Sequence, residues 1–309
     1  MGVDYCVKFQ YCAYMNVQLL PLNYSQSCIN HRGLELAVYQ WGIPSPTLPT
    51  MVILHGWLDH GTSWNSTALY LVELGYHCIA IDHRGHGRSG HIPLYEEYHF
   101  PDYISDLQAI LKTLTLDHFV LIGHSMGGTI ASLYGAFCLP KATKIVLIDG
   151  LGPKHEEPDE ARHRLHLHFR QRNIISKHKP MSIDIGTKKL KRAHPFLNES
   201  SIHQEFFELT VPTEINPEKM IWRWDPRHRN KAAIGFDLRR YLNILEWIDV
   251  RTEVIFGKNS WYLQLPDIPE RIKHISDCGH STVLPSGHSP HLECPELLAN
   301  TLHQVIHST

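Results

Sequence analysis

The sequence predicts an α/β protein in which a mostly parallel sheet is covered by helices on both faces. Residues 119–122, Phe-Val-Leu-Ile, are apolar and rich in strand formers, as expected of a strand buried on both faces. Similar apolar runs alternate along the chain with segments of helical spacing, which is typical of successive strand–helix–strand units. With 309 residues and 43% hydrophobic composition, the chain can bury one large core.

The first 150 residues supply most of the predicted sheet. We expect the first two strands at residues 17–22 and Leu34–Trp41, joined by a polar turn at residues 30–33. Three prolines then mark a loop before the apolar strand Thr50–Leu54. The other elements predicted in this half are strands at residues 77–81 and Lys144–Ile148, and helices at residues 64–74 and 101–114.

From residue 151 the composition changes, and residues 151–234 are rich in charge and histidine without clear β runs. We interpret this stretch as a helical cap inserted over the sheet. Its helices are expected at residues 160–172, 188–194 and 201–209, and the first of them is interpreted as a basic, solvated face. The elements predicted after the cap are helix 236–247, strand 253–256, helix 269–275, strand 282–285 and helix 295–306.

The predicted core therefore comprises residues 17–150 and 235–309, with residues 151–234 as the cap. Residues 1–16 show no basic segment, long apolar stretch or cleavage site of the kind that a signal peptide has. We expect them to form an extra, disordered leader, and Met15 is a candidate start of the native protein.

Composition narrows the classes of function. The formal net charge of −2 argues against a general electrostatic role on nucleic acid. No apolar run approaches the roughly 20 residues that span a bilayer, so no stable membrane insertion is expected. The seven cysteines are scattered and form no C-x-x-C pair, which favours a reducing, cytoplasmic setting.

The histidine content and the motifs also bear on cofactors and partners. Most of the 24 histidines are interpreted as solvated, and no H-E-x-x-H or similar ligand spacing is present. We expect no metal and no cofactor. The expected partner is a small-molecule substrate, with the chain acting as a monomer or a homodimer.

The turn after the central apolar strand carries the candidate nucleophile. Gly123-His124-Ser125-Met126-Gly127 matches the pattern G-x-S-x-G, and small residues follow it in a predicted helix. A sharp strand-to-helix turn leaves the side chain of the central serine exposed at the edge of the sheet, and glycines avoid Cβ clashes in the bend. At a helix N-terminus, backbone N–H groups also favour negative charge. We predict Ser125 as a catalytic nucleophile; the alternative is a turn that only closes a packing contact.

These residues resemble the α/β-hydrolase fold superfamily, over roughly residues 30–150 and 235–307. His55-Gly-Trp57 matches the loop that helps to form the oxyanion hole. That loop and the run Trp224-Asp-Pro-x-His228 are similar to the serine-hydrolase-like group, which we expect here with a helical cap. The resemblance implies an α/β-hydrolase fold with a mostly parallel eight-stranded sheet. It also implies an oxyanion hole formed by the backbone N–H groups of Trp57 and Met126.

A histidine must follow the last strand, and two candidates compete. His280 comes before residues 281–285, which we predict as that strand, whereas His288 comes after it. Residues 287–296 also resemble the family signature G-H-x-x-H-x-E-x-P-E at the start of the last helix. We choose His288 as the general base, which leaves His280 as an edge residue and His291 as a structural residue of the last helix.

The third member of a triad is a carboxylate, and its usual place holds none. In many family members the acid follows the strand that here is residues 253–256, but residues 257–260 read Gly-Lys-Asn-Ser. A second placement, as in haloalkane dehalogenases, follows the strand after the nucleophile helix, and here that strand ends at Asp149. We predict Asp149 as the acid, and its alternative role is a capping or turn residue. Asp225 and Asp267 are the runners-up.

The predicted activity is hydrolysis of a carboxylic ester or thioester by a Ser-His-Asp triad. A carbon–carbon bond hydrolase with the same triad is the close alternative, and a non-catalytic ligand-binding protein is the alternative from another class. We predict substrate contacts for Trp57 and His124 in the core and for Trp222 and Trp224 in the cap. The aromatic residues of the cap suit a pocket roof and a core role equally well.

Overall fold

The computed structural model describes residues 23–138, 140–172, 174 and 176–308. The predicted leader, residues 1–16, and the predicted strand at residues 17–22 lie outside the described residues. Within the described part, the strands are β1 Ser25–His31, β2 Leu34–Trp41, β3 Thr50–Leu54, β4 Cys78–Ile81, β5 Phe119–His124, β6 Lys144–Ile148, β7 Thr210–Pro212, β8 Met220–Trp222, β9 Thr252–Gly257 and β10 Cys278–Leu284.

Eight of these strands form the central sheet, in the order β1-β2-β4-β3-β5-β6-β9-β10. β2 pairs antiparallel with β1 and β4, and all other neighbours in this sheet are parallel. The predicted mostly parallel, eight-stranded sheet is confirmed. Parallel strands place their carboxyl ends at one edge, which is where α/β sheets bind ligands.

A tight hairpin begins the sheet. β1 joins β2 through Arg32-Gly33, whose φ angles of 54° and 82° are both positive, as in the type I′ turn that suits twisted hairpins. β1 was not predicted, because its sequence Ser-Gln-Ser-Cys-Ile-Asn-His is polar and mostly exposed and carries no apolar alternation. This strand is therefore determined by its pairing with β2 and by the turn, and not by a hydrophobic pattern.

Helices cover both faces of the sheet. Their bounds are α1 Asn65–Glu73, α2 Phe100–Thr113, α3 Met126–Phe137, α4 Ala161–Arg172, α5 Ile183–Ala193, α6 Glu199–Leu209, α7 Leu238–Glu246, α8 Ile268–Lys273, α9 Pro290–Glu293 and α10 Pro295–His307. One buried core contains side chains of α2, α3 and α7, and a second contains those of α1 and α10. Successive strand residues such as Val52 and Ile53 enter opposite cores, as the alternation of side chains along a strand requires.

Between β6 and α7 the chain leaves the sheet and forms an inserted segment. It contains α4, α5 and α6, together with an antiparallel ribbon of β7 and β8. Its separate small core consists of Met181, Leu190, Leu197, Ile202, Phe206, Phe207, Leu209 and Met220. The predicted helical insertion is confirmed, and the ribbon of β7 and β8 is an addition to it. That ribbon was not predicted, because strands of three residues are too short to show a period of two.

Two further findings concern the helices. In α4 only His168 is buried, so the basic helix is mostly solvated. Across the described residues, none of the helices combines the length and the apolar composition that crossing a membrane requires.

Candidate active site

The turn between β5 and α3 holds Ser125 in an uncommon backbone conformation, with φ 52° and ψ −114°. A positive φ is rare outside glycine, so surrounding structure must enforce it. The Ser125 N–H donates to the Ile148 carbonyl oxygen at 2.9 Å. A Cβ at Gly127 would lie 2.2 Å from the Leu54 carbonyl oxygen, so only glycine fits there. The bend thus holds Ser125 at the carboxyl edge of the sheet.

His288 lies within hydrogen-bond reach of this serine. Its Nε2 is 3.1 Å from Ser125 Oγ, and it follows β10 in the loop that leads to α9. His280 instead lies inside β10, where its backbone N–H donates to the Glu253 carboxylate at 2.7 Å. The expectation that His280 precedes the last strand is wrong, because β10 begins at Cys278.

Asp149 is fully buried at the end of β6 and meets the other ring nitrogen of His288. Its Oδ2 is 3.2 Å from His288 Nδ1, and its Oδ1 accepts the Gly257 N–H at 3.3 Å. Asp149 also has a positive φ of 43°, and its own N–H donates to the Ile255 carbonyl oxygen at 2.9 Å. The neighbouring strand β9 therefore fixes this carboxylate through two backbone contacts.

The two runner-up carboxylates are engaged elsewhere. Asp225 accepts hydrogen bonds from Arg227 at 2.6 Å and from the Tyr98 hydroxyl at 2.9 Å. Burial would raise the pKa of the Asp225 carboxyl, but its hydrogen bonds with Arg227 hold that pKa below the usual value. Asp267 pairs with Arg271 at 2.6 Å. Of the three carboxylates considered, Asp149 is the one that the structure brings to His288.

The loop after β3 runs beside the nucleophile. A Cβ at Gly56 would lie 3.4 Å from Ser125 Cβ, which places the backbone around Trp57 next to the serine. Met126 is the first residue of α3, and the first N–H groups of a helix have no acceptor within it. The Trp57 ring is 51% exposed, and its Nε1 donates to the His228 carbonyl oxygen at 3.3 Å. This indole therefore joins the loop to the inserted segment.

Comparison with known protein families matches residues 49–295 to the alpha/beta hydrolase fold. The chain belongs to this family. The matched range contains Ser125, Asp149 and His288 together with the whole inserted segment.

Curated relatives and solved structures agree with this assignment. A serine hydrolase-like protein of Dictyostelium discoideum is 27% identical over 277 residues, which cover 84% of this chain and 75% of that protein. A serine hydrolase-like protein of Danio rerio is 28% identical over 279 residues, covering 87% and 84%. The thioesterase domain from the curacin biosynthetic pathway has a TM-score of 0.79 at 24% identity, covering 91% of this chain and 99% of that one. At this identity the structural likeness shows the fold.

In this α/β-hydrolase-fold chain, a serine stands after β9 where many members carry the acid. Ser260 is buried, and its Oγ lies 3.3 Å from His288 Nδ1 while accepting the Tyr262 N–H at 3.1 Å. Residues 257–260 lack a carboxylate, and no role is predicted for Ser260 from the sequence. Its place three residues after the strand end was the available signal.

The predicted substrate-contacting residues have other partners in the structure. His124 is buried, and its Nε2 donates to the His288 carbonyl oxygen at 2.6 Å. Burial, together with the nearby His291 and His288, lowers the pKa of His124 well below its usual value. Trp222 and Trp224 stack on each other at 6.2 Å between ring centroids within the inserted segment. Substrate contact by these residues stays a prediction.

A third of the histidines are buried, several of them near this edge of the sheet. The expectation that most histidines are solvated agrees with the 16 that are partly or fully exposed, and the eight buried ones are His55, His60, His77, His83, His86, His124, His168 and His291. A single sequence gives histidine no burial signal, because the residue is intermediate between apolar and polar in its preference.

Proposed function

We propose that this chain is a serine hydrolase that cleaves a small-molecule carboxylic ester or thioester through an acyl-enzyme. The observation that carries the proposal is the hydrogen-bonded series from Ser125 Oγ through the His288 ring to the Asp149 carboxylate, at 3.1 and 3.2 Å. Nucleophile, base and orienting acid in hydrogen-bond contact are what acyl transfer by serine requires. The serine hydrolase-like relatives support the same reading.

The geometry supports a two-step reaction. The Ser125 oxygen attacks the acyl carbon while His288 Nε2 takes the hydroxyl proton, and His288 then returns that proton to the departing alcohol or thiol. A water molecule attacks the acyl-enzyme with the same proton transfers, which releases the acid and restores Ser125. Asp149 holds the imidazole with Nε2 toward the serine and stabilises the imidazolium that forms.

The oxyanion of each tetrahedral intermediate needs donors that are in place beforehand. In our proposal these are the backbone N–H of Met126, at the positive end of α3, and that of Trp57 in the loop beside Ser125. Donors of this kind contribute roughly 3 to 4 kcal/mol each to transition-state stabilisation in acyl transfer.

We further propose that residues 151–234 act as a cap over the substrate site. Two contacts tie this segment to the loop that follows β3. The Trp57 indole donates to His228, and His60 Nε2 lies 3.0 Å from the Glu205 carboxylate on α6. Because both core residues belong to the loop beside Ser125, the inserted segment borders the substrate site on this side.

A fluorophosphonate probe and a series of short p-nitrophenyl esters and acyl thioesters test the proposal. We expect the wild type to be labelled at Ser125 and to turn over at least one ester or thioester. Ser125→Ala should lose both properties, and the matched control Ser281→Ala, an exposed serine on β10, should keep them. A wild type that is neither labelled nor active would overturn the proposal in favour of a binding protein. Labelling with turnover only of a β-diketone would instead support carbon–carbon hydrolysis.

A further inference from the structure

Three side chains from distant parts of the chain converge beside the triad. Asp59 comes from the loop after β3, His124 is the last residue of β5, and His291 lies in α9. One ligand atom of each side chain lies within 4.8 Å of the ligand atoms of the other two. His124 is only 4% exposed and His291 is not exposed at all, so the two histidines are internal, and Asp59 is partly buried.

Three ring nitrogens of the cluster make no hydrogen bond within the described residues. They are His124 Nδ1 and both nitrogens of His291, of which Nε2 lies 3.4 Å from Asp59 Oδ2. Leaving a buried polar atom unsatisfied costs roughly 1 to 3 kcal/mol, so such atoms call for an explanation. Both histidines and Asp59 border one small volume, because one ligand atom of each lies within 4.8 Å of the ligand atoms of the other two.

One separation in the cluster matches the geometry of a metal site. Zinc holds imidazole nitrogen and carboxylate oxygen at about 2.0 to 2.2 Å in a tetrahedron, whose edge is then about 3.4 Å. The separation of 3.4 Å between His291 Nε2 and Asp59 Oδ2 equals that edge. Ligating histidines commonly donate their second N–H to a backbone carbonyl, and His124 does so toward the His288 carbonyl oxygen. The other carboxylate oxygen of Asp59 accepts the His60 N–H at 2.8 Å.

We propose that Asp59, His124 and His291 form a binding site for a divalent transition-metal ion of the zinc type, with the fourth position open to water. Two imidazoles and one carboxylate suit zinc and its neighbours in the first transition series better than magnesium or calcium. The site ties together the loop beside Ser125, the nucleophile turn and the segment that carries His288. A bound ion therefore stabilises the arrangement of the whole active site.

A separation of 3.4 Å between Asp59 Oδ2 and His291 Nε2 also fits a direct contact between the two side chains. The competing explanation is a simple ion pair between Asp59 and a protonated His291, which would bind no metal.

A neighbouring cluster of side chains differs from this one in its hydrogen bonds. Asp59, His60 and Glu205 also lie close enough to share an ion. However, His60 Nδ1 lies 2.8 Å from the Thr62 hydroxyl and His60 Nε2 lies 3.0 Å from Glu205, so both ring nitrogens are already partnered. The proposal is therefore confined to the cluster in which nitrogens are unsatisfied.

Cobalt titration of the full chain tests the site, because Co²⁺ replaces zinc and absorbs visible light when its coordination is low. After treatment with a chelator, we expect the wild type to bind one equivalent of Co²⁺ with visible absorption that Zn²⁺ abolishes. His291→Gln should weaken Co²⁺ binding at least about 100-fold, since even outer partners of a metal site contribute 10- to 100-fold to affinity. Zn²⁺ should also raise the melting temperature of the wild type and not that of the variant.

The matched control removes a close histidine pair outside the cluster, on the last helix α10. His303 and His307 have ring centroids 4.7 Å apart on α10, and the double variant His303→Gln/His307→Gln should bind Co²⁺ as the wild type does. No stoichiometric binding by the wild type would overturn the proposal, and so would unchanged binding by His291→Gln. If circular dichroism shows that His291→Gln does not fold, Asp59→Asn decides the matter by the same measurement.

Discussion

Ser260 Oγ lies 3.3 Å from Nδ1 of His288, almost as close to that nitrogen as the Asp149 carboxylate at 3.2 Å. A hydroxyl thus occupies the position after β9 where related enzymes often place the acid. The two groups are not equivalent, because a hydrogen bond to a carboxylate is charge-assisted and about twice as strong as one to a neutral oxygen. We infer that Asp149 stabilises the imidazolium, whereas Ser260 only helps to orient the ring.

The proposed role of Asp149 predicts that replacing it has a large effect on kcat. Asp149→Asn should lower kcat on a p-nitrophenyl ester by about 10³ to 10⁴-fold, because an amide favours the wrong imidazole tautomer and cannot stabilise its charge. Steady-state kinetics would measure this, with Ser125→Ala as the floor and circular dichroism as the check on folding. A reduction of less than tenfold would contradict the assignment of Asp149 as the acid.

The position of Ser260 predicts that the acid can be moved. In Asp149→Asn/Ser260→Asp, the new carboxylate stands after β9 within reach of His288 Nδ1, so we expect kcat to recover roughly tenfold or more over Asp149→Asn. Ser260→Ala alone should lower kcat by about tenfold or less, which corresponds to one neutral hydrogen bond. If the double variant is no more active than Asp149→Asn, the backbone at Ser260 does not present a side chain correctly to the histidine.

The parallel character of the sheet could be predicted from the sequence, whereas some contacts around the histidine could not. Buried parallel strands carry continuous apolar runs, so β3, β5 and β6 could be recognised. Asp149 could be selected because the end of a strand is visible in the sequence. Ser260 and the Asp59–His124–His291 cluster depend on which loops meet in space, and no spacing along the chain records that.

The contacts of Arg271 predict that it contributes strongly to the stability of the segment after Asp149. This side chain is fully buried, donates to the carbonyl oxygens of Leu151 and Gly152 at 2.6 and 2.7 Å, and pairs with Asp267. Arg271→Gln should lower the free energy of unfolding by about 3 to 5 kcal/mol, because it leaves the carboxylate and the carbonyls unsatisfied. Urea unfolding would measure this. The control Lys188→Gln breaks an exposed pair and should change stability by less than about 0.5 kcal/mol.

The ion pair between His60 and Glu205 predicts a pH-dependent link between the core and the inserted segment. Burial opposes protonation of His60, but its hydrogen bond to Glu205 raises the pKa to about 9. Because the pKa of His60 is higher in the folded state, its protonation stabilises the fold fully below the unfolded-state pKa of about 6.5. This stabilisation is lost as the pH rises through 9. Wild type should therefore exceed Glu205→Gln in unfolding free energy by about 2 to 3 kcal/mol at pH 6, and the excess should shrink by pH 9.5. Urea unfolding at both pH values tests this, with Asp184→Asn as an exposed-pair control, and an excess independent of pH would contradict a titrating His60.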